Sequence, residues 1–287
     1  MRRESWVVSP EGSVQVSELA RGHKQALRPL WALIEQERRL VQEQVKQLAR
    51  AALEPVLLAS AEQVVGPAHP GRQSGGVRRH GRQLGMVRLG GLRVRLLKPR
   101  LRERGRGEGA EVEIPAYVAM QSDEARREQV LSILLREVSA RNYLAVATKL
   151  ARCCGVPKRA MSKHLAEASA RTLCALSEPR LKGRGLCVTM IGERDVGRHH
   201  VIAAVGVQRD GKMHLLGIRE GASAARRLVE DLVARVVRGD SKRLFVVTGS
   251  RALRTPLEIA YGVGGAAAGI GRVPTLAAVL RYLPRQS

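Results

Sequence analysis

Apolar and polar residues recur along this chain with periods that change from segment to segment. Over residues 16–65 the positions Leu30, Ile34, Val41, Val45, Leu48 and Ala52 repeat at three, four or seven, with Glu, Gln, Lys and Arg between them. That spacing predicts an amphipathic helix with one buried stripe. Pro29 and Pro55 are expected to open helical segments, since proline is tolerated in a first turn. Residues 66–77, rich in Gly and Pro, read as a linker. A period of two follows: Val87, Leu89, Leu92, Val94 and Leu96 alternate with Arg88, Arg93 and Arg95 about Gly90-Gly91. This predicts a β-hairpin with an apolar face and an arginine face. A second turn over 103–109 leads into Val112 and Ile114.

Between residues 123 and 177 the helical period returns in three stripes. The first is Val130, Leu134 and Val138, and the second runs from Tyr143 to Leu150. The third extends from Pro157 through Met161 and Leu165 to Leu173. Cys154-Gly155-Val156 joins the last two in the manner of a helix-turn-helix. The third helix would then present Lys158, Arg159, Lys163, His164 and Arg171 to a groove or to phosphates. Further on, strands are expected at 186–191, 200–207, 213–218 and 244–247, with helices at 223–237 and 250–261. Strand, strand, strand, helix, strand, helix is the opening order of a ribonuclease-H-like fold, in which the first strand lies beside a parallel fourth. The Gly- and Ala-rich residues 262–287 carry no clear pattern. The expected class is therefore α+β: a helical DNA-binding N-terminal part with a basic β-hairpin, then an incomplete ribonuclease-H-like αβ domain. The expected boundaries are 1–65 (helical), 66–115 (basic linker and hairpin), 116–180 (helix-turn-helix-like) and 181–287.

Charge changes the picture most. The 287 residues include 50 Lys and Arg against 26 Asp and Glu, a net +24. Residues 71–106 hold twelve basic side chains and one acidic, whereas residues 1–70 hold nine and eight. A cluster of this density can displace condensed counterions from a phosphate backbone. Arginine also outnumbers lysine there, and its planar fork suits phosphates and base edges. The candidate DNA contacts are Arg78, Arg79, Arg82, Arg88, Arg93, Arg95, Lys98, Arg100 and Arg102, joined by Lys158, Arg159 and Lys163. A hydrophobic fraction of 44% argues against disorder, and an aromatic fraction of 2% argues against a single-strand stacking platform. No run of eighteen apolar residues suggests a membrane span, and Met-Arg-Arg-Glu-Ser-Trp lacks the apolar core of a signal peptide. Cys153, Cys154, Cys174 and Cys187 form no disulfide framework, which suits a reducing cytosol.

Several ordered segments resemble the Mutator-type family of bacterial insertion-sequence transposases. They are Arg-His-Gly-Arg-Gln (79–83), Pro-Arg-Leu-Arg (99–102), Gly-Arg-His-His-Val-Ile-Ala-Ala-Val-Gly-Val (197–207), 210–223 and 244–254. The resemblance implies DNA transposition: metal-dependent cleavage and strand transfer at the ends of a transposable element, with Mg2+ held by carboxylates on a ribonuclease-H-type sheet. It also implies double-stranded transposon ends as the partner, and a homo-oligomer or a mixed oligomer with an intact transposase.

The chain departs from that family where the chemistry would sit. The first strand should end in Asp-Gly, and here Gly192-Glu193 stands in its place. The fourth should run into Asp-Gly-Ser, and here the sequence is Thr248-Gly249-Ser250. The family's later Cys and His correspond to Gly271 and Pro274, and no position remains for its third acid. Glu193 and Asp195 are the available substitutes, but both have the opposite strand parity to Gly192. No metal-ligand set is therefore expected, and Mg2+ binding by this chain is not expected either. His199-His200 cannot both face one ion from neighbouring strand positions. Three readings follow: a DNA-binding relative that has lost catalysis, an active transposase using substitute acids or a partner chain, and a basic RNA- or nucleoid-binding structural protein.

Overall fold

The amphipathic pattern folds as one long helix, α1 (Arg28–Val65). The computed structural model describes residues 5–9, 12–15, 28–66, 76–105, 110–177, 185–221, 223–235, 244–248, 253, 255–257 and 259. Within α1, Ile34, Val41, Val45, Leu48 and Ala52 are buried as the spacing requires. Residues 16–27 of the expected helix lie outside the described ones, as do most of the linker and residues 262–287 with Gly271 and Pro274. Pro55 corrects the expectation, because it sits inside α1 and opens nothing. Its ring removes the N–H that would reach the Ala51 carbonyl. Ser169 supplies the missing donor: its Oγ donates to Ala51 O at 3.3 Å.

The described strands in chain order are β1 (Ser5–Ser9), β2 (Gly12–Gln15), β3 (Val77–Leu89), β4 (Leu92–Glu103), β5 (Glu111–Val112), β6 (Leu186–Val196), β7 (His199–Gln208), β8 (Met213–Glu220) and β9 (Leu244–Thr248). The chain forms two compact units. One comprises Met1–Glu43, Glu178–Asp195 and His199–Ser287, and the other Gln44–Ser177 with Val196–Arg198.

The first unit carries a six-stranded sheet in the order β2-β1-β9-β6-β7-β8. β6 and β9 run parallel, in register from Val188↔Leu244 to Gly192↔Thr248, and β7 and β8 are antiparallel. These pairings are the ones expected. The N-terminal strands are not: β1 pairs antiparallel with β9, Trp6 opposite Val247, so residues 1–65 are not wholly helical. Trp6-Val7-Val8 is a short run of strand-favouring residues, and it covers the edge that β9 would otherwise expose. The helix after β8 buries Leu228, Val229 and Leu232 against Ile202, Leu216, Phe245 and Val247. Gly217 makes room for it, since a Cβ there would lie 2.9 Å from Leu228 Cδ1.

The second unit holds a three-stranded sheet, β3-β4-β5, and four shorter helices. The hairpin extends well beyond the expected 87–96. Gly90 and Gly91 turn it with φ of 51° and 84°, a left-handed pair that glycine adopts without strain. A Cβ on Gly90 would also meet Gly197 Cα at 2.8 Å. The helices are α2 (Pro115–Ser122), α3 (Glu124–Ser139), α4 (Tyr143–Cys153) and α5 (Lys163–Ser177). The helix on the first unit's sheet is then α6 (Ala224–Arg235). Ser60 Oγ accepts the Ala116 N–H at the start of α2, where no side chain of its own caps it. α5 begins at Lys163 rather than Pro157, because Ser162 Oγ accepts the Leu165 N–H as an N-cap. The connection from Cys154 to Ser162 is consequently longer than the three-to-four-residue turn (about that length by rule) of a helix-turn-helix. Among the described residues no helix is long and apolar enough to cross a membrane.

Candidate nucleic-acid interface and strand-end positions

Pairing in the β3–β4 ribbon sorts the basic side chains. Val87, Leu89, Val94 and Leu96 are buried on one face, and Arg88, Arg93 and Arg95 are exposed on the other. Arg88 and Arg93 are direct register partners. Two like charges opposite each other destabilise a sheet, so this rung costs stability and offers a site for anions. Arg78 and Arg82 are exposed further along β3. Among the described residues these five arginines have no carboxylate within ion-pair distance.

The other four basic residues of the cluster are engaged within the protein. Arg79 donates to Gly66 O at 2.9 Å and lies 3.8 Å from Glu62. Arg100 forms an ion pair with Glu111, and hydrogen bonding from Arg100 holds the Glu111 carboxyl below its ordinary range. Arg102 Nη1 lies 3.2 Å from His80 Nε2, and Lys98 Nζ sits 4.4 Å from the Tyr117 ring centre. Lys158 and Arg159 are exposed in the turn before α5, not on a helix, and Lys163 is exposed at the first residue of α5, 3.7 Å from Glu167. The sequence located these charges but could not show that Arg79 and Arg100 face carboxylates while Arg102 and Lys98 lie against rings.

In the sheet of the first unit, Gly192 and Thr248 are paired on adjacent parallel strands. The resemblance drawn from the sequence would put aspartates at these two positions, and neither residue type present brings a negative charge. Arg194 shares the Gly192 face of β6 by strand parity, with Cα atoms roughly 7 Å apart. It is buried and ion-paired with buried Glu37 of α1. Gly192 has no side chain, and Thr248 offers only a neutral hydroxyl. The donor set at this pair therefore does not fit magnesium.

The substitute acids come together elsewhere. His200 Nδ1 lies 2.8 Å from Asp195 Oδ1, and His200 Nε2 lies 3.4 Å from Glu193 Oε2. Glu193 and Asp195 thus meet at His200, and strand parity puts both on the face opposite Gly192. His199 goes the other way and pairs with Glu220 at 2.8 Å. Among the described residues no group of three or more His, Cys, Asp and Glu is arranged to hold a metal. The thiols have packing roles: burial pushes Cys154 up to about 12, and Cys153 Sγ donates to Gln129 Oε1 at 3.2 Å.

The chain matches no protein-family model, and no curated protein matches it. Sequence reasoning missed the Glu37–Arg194 pair. Its one trace was a glutamate on the apolar stripe of α1, at i+3 from Ile34 and i−4 from Val41.

Proposed function

We propose that this chain is a duplex-DNA-binding protein of the Mutator-transposase type that does not itself cut or join DNA. The observation carrying the reading is the exposed rung of Arg88 and Arg93, with Arg78, Arg82 and Arg95 nearby and no internal carboxylate partner. Unneutralised guanidinium groups on a two-stranded ribbon suit a phosphate-lined groove, whose width admits such a ribbon. The parallel β6–β9 pair, with the β7–β8 hairpin beyond it, supports a ribonuclease-H-like reading of the sheet.

Silence of the strand-end site follows from its donors. Two-metal phosphoryl transfer relies on carboxylates converging on both ions. Gly192 has no side chain, and Thr248 brings only a neutral hydroxyl. The active-enzyme alternative loses support because Glu193 and Asp195 lie on the opposite face with His200. The natural partner on this reading is a transposon end, bound as a homo-oligomer or together with an intact transposase in the bacterial nucleoid.

The test is incubation of purified protein with a labelled transposon-end duplex and Mg2+ or Mn2+. A shifted but uncut duplex is the expected result. Nicking that disappears on Glu193→Ala or Asp195→Ala would make the substitute-acid enzyme the better description. Preference for duplex RNA over DNA would favour the structural RNA-binding alternative.

A further inference from the structure

The exposed face of the β3–β4 ribbon is not uniformly charged. Its register rungs run from Leu84↔Leu97 through Met86↔Arg95 to Arg88↔Arg93, with Arg82 beyond the leucines. Leu84 is 71% exposed, Leu97 42% and Met86 39%, so an apolar centre stands open between arginines.

The other face of the ribbon and part of each edge are engaged within the protein. Its opposite face is buried through Val87, Leu89, Val94 and Leu96. On the β3 edge, Tyr117 Oη accepts the Met86 N–H at 3.2 Å, and Gln121 Nε2 donates to Met86 O at 2.6 Å. On the β4 edge, the Leu97 N–H donates to Glu54 at 2.8 Å, and Arg50 donates to Arg95 O at 2.9 Å. Two backbone groups on each edge of this stretch are thus engaged within the protein, the Met86 N–H and carbonyl on β3 and the Leu97 N–H and Arg95 carbonyl on β4.

We infer that this face is a DNA-bending wedge, in which Leu84, Leu97 and Met86 enter a base step while Arg82, Arg88, Arg93 and Arg95 hold the flanking phosphates. This rests on the DNA-binding reading above and extends it to a mode of binding. Leucine and methionine are the side-chain types that unstack base steps and kink a duplex, and arginine supplies the accompanying backbone contacts. The exposed rungs carry no Asn, Gln, Asp or Glu to read base edges. Sequence preference would therefore come from deformability, favouring flexible pyrimidine–purine steps over a base code. The same rungs have no Trp or Tyr of the kind that anchors a protein in a lipid interface.

The test is end-to-end fluorescence transfer in a duplex of about 30 base pairs with a central TA step. Wild type, Leu84→Gln/Leu97→Gln and Arg88→Ala/Arg93→Ala are compared, all checked for unchanged circular dichroism. The wild type should bring the duplex ends closer. The glutamine variant should bind within about tenfold of wild type, keep its salt slope to about one unit, and lose the bend. The alanine variant should lose affinity and slope together. A glutamine variant that bends DNA like wild type overturns the wedge alone, as does a wild type that binds without bending. Failure of the wild type to bind duplex at about 50 mM salt overturns the DNA-binding reading as well. Binding to phosphatidylserine vesicles in preference to duplex, abolished by the glutamine variant, would overturn the wedge in favour of a lipid surface.

Discussion

Gly192 and Thr248 are register partners on adjacent parallel strands, β6 and β9. Acidic residues at such a pair would converge on shared cations, and Gly and Thr bring no negative charge there. Introducing Gly192→Asp and Thr248→Asp together should not create a working site, because among the described residues no further carboxylate is arranged to complete a metal-binding group. Isothermal titration with Mn2+ and a plasmid-nicking assay check this. Saturable Mn2+ binding together with nicking in the double variant would show that two carboxylates suffice.

The Glu37–Arg194 pair is the most deeply buried ion pair among the described residues, at 1% and 4% side-chain exposure. Removing one partner of such a pair leaves an uncompensated charge, at a cost of about 3–5 kcal/mol. Glu37→Ala should lower stability by that order in urea unfolding. Glu37→Leu with Arg194→Met should restore most of it, since apolar replacements of both partners are often neutral. A double variant as unstable as Glu37→Ala would mean that the pair does more than balance charge.

Pro55 and Ser169 form a second coupled pair through the Ala51 carbonyl. Ser169→Ala removes the hydroxyl donor to that part-buried acceptor and should cost about 1 kcal/mol. In a Pro55→Ala background the restored backbone N–H can reach Ala51 O, so the same serine change should cost much less. Equal costs in the two backgrounds, by a double-mutant cycle, would count against this coupling.

Asp123 caps α3, its carboxylate accepting the Arg126 N–H at 3.0 Å. That backbone hydrogen bond is the largest influence holding its carboxyl below the ordinary range, aided by the Arg126 charge. The folded form has the lower pKa. Its contribution is therefore fully present above the unfolded aspartate value of about 3.9 and fades as pH falls through the folded value. Asp123→Asn should unfold at a lower temperature than wild type at pH 6, with the gap closing as pH approaches the lowered folded value. A gap that is constant with pH would show that charge is irrelevant to this cap.

Periodicity made most of the architecture legible. The stripe of α1, the alternation about Gly90-Gly91 and the apolar runs of β6 to β9 are local patterns, and each formed where its period said it would. The misses were tertiary in origin. Pro55 reads as a boundary until Ser169, far along the chain, answers for the lost hydrogen bond. Trp6-Val7-Val8 is too short to announce a strand, and becomes one because β9 has an edge to cover. Parity puts Glu193 and Asp195 on one face of their strand, and the two carboxylates meet at His200. Parity could not say that Arg194 would be met by Glu37 of α1. Counting charge located the basic ribbon, and only the pairing of Arg100 with Glu111 and of Arg79 with Glu62 separated occupied arginines from open ones.

The salt dependence of duplex binding tests the central claim most directly. Counterion release makes log K fall with log salt by about 0.9 for each phosphate neutralised. Replacing Arg88, Arg93 and Arg95 together by Ala should therefore weaken binding and flatten that slope by about two to three units. The matched variant Arg79→Ala, Arg100→Ala and Arg102→Ala, whose side chains are engaged within the protein, should flatten it far less. A slope unchanged by the first triple replacement, measured by fluorescence anisotropy across a salt series, would contradict the assignment of DNA binding to the ribbon.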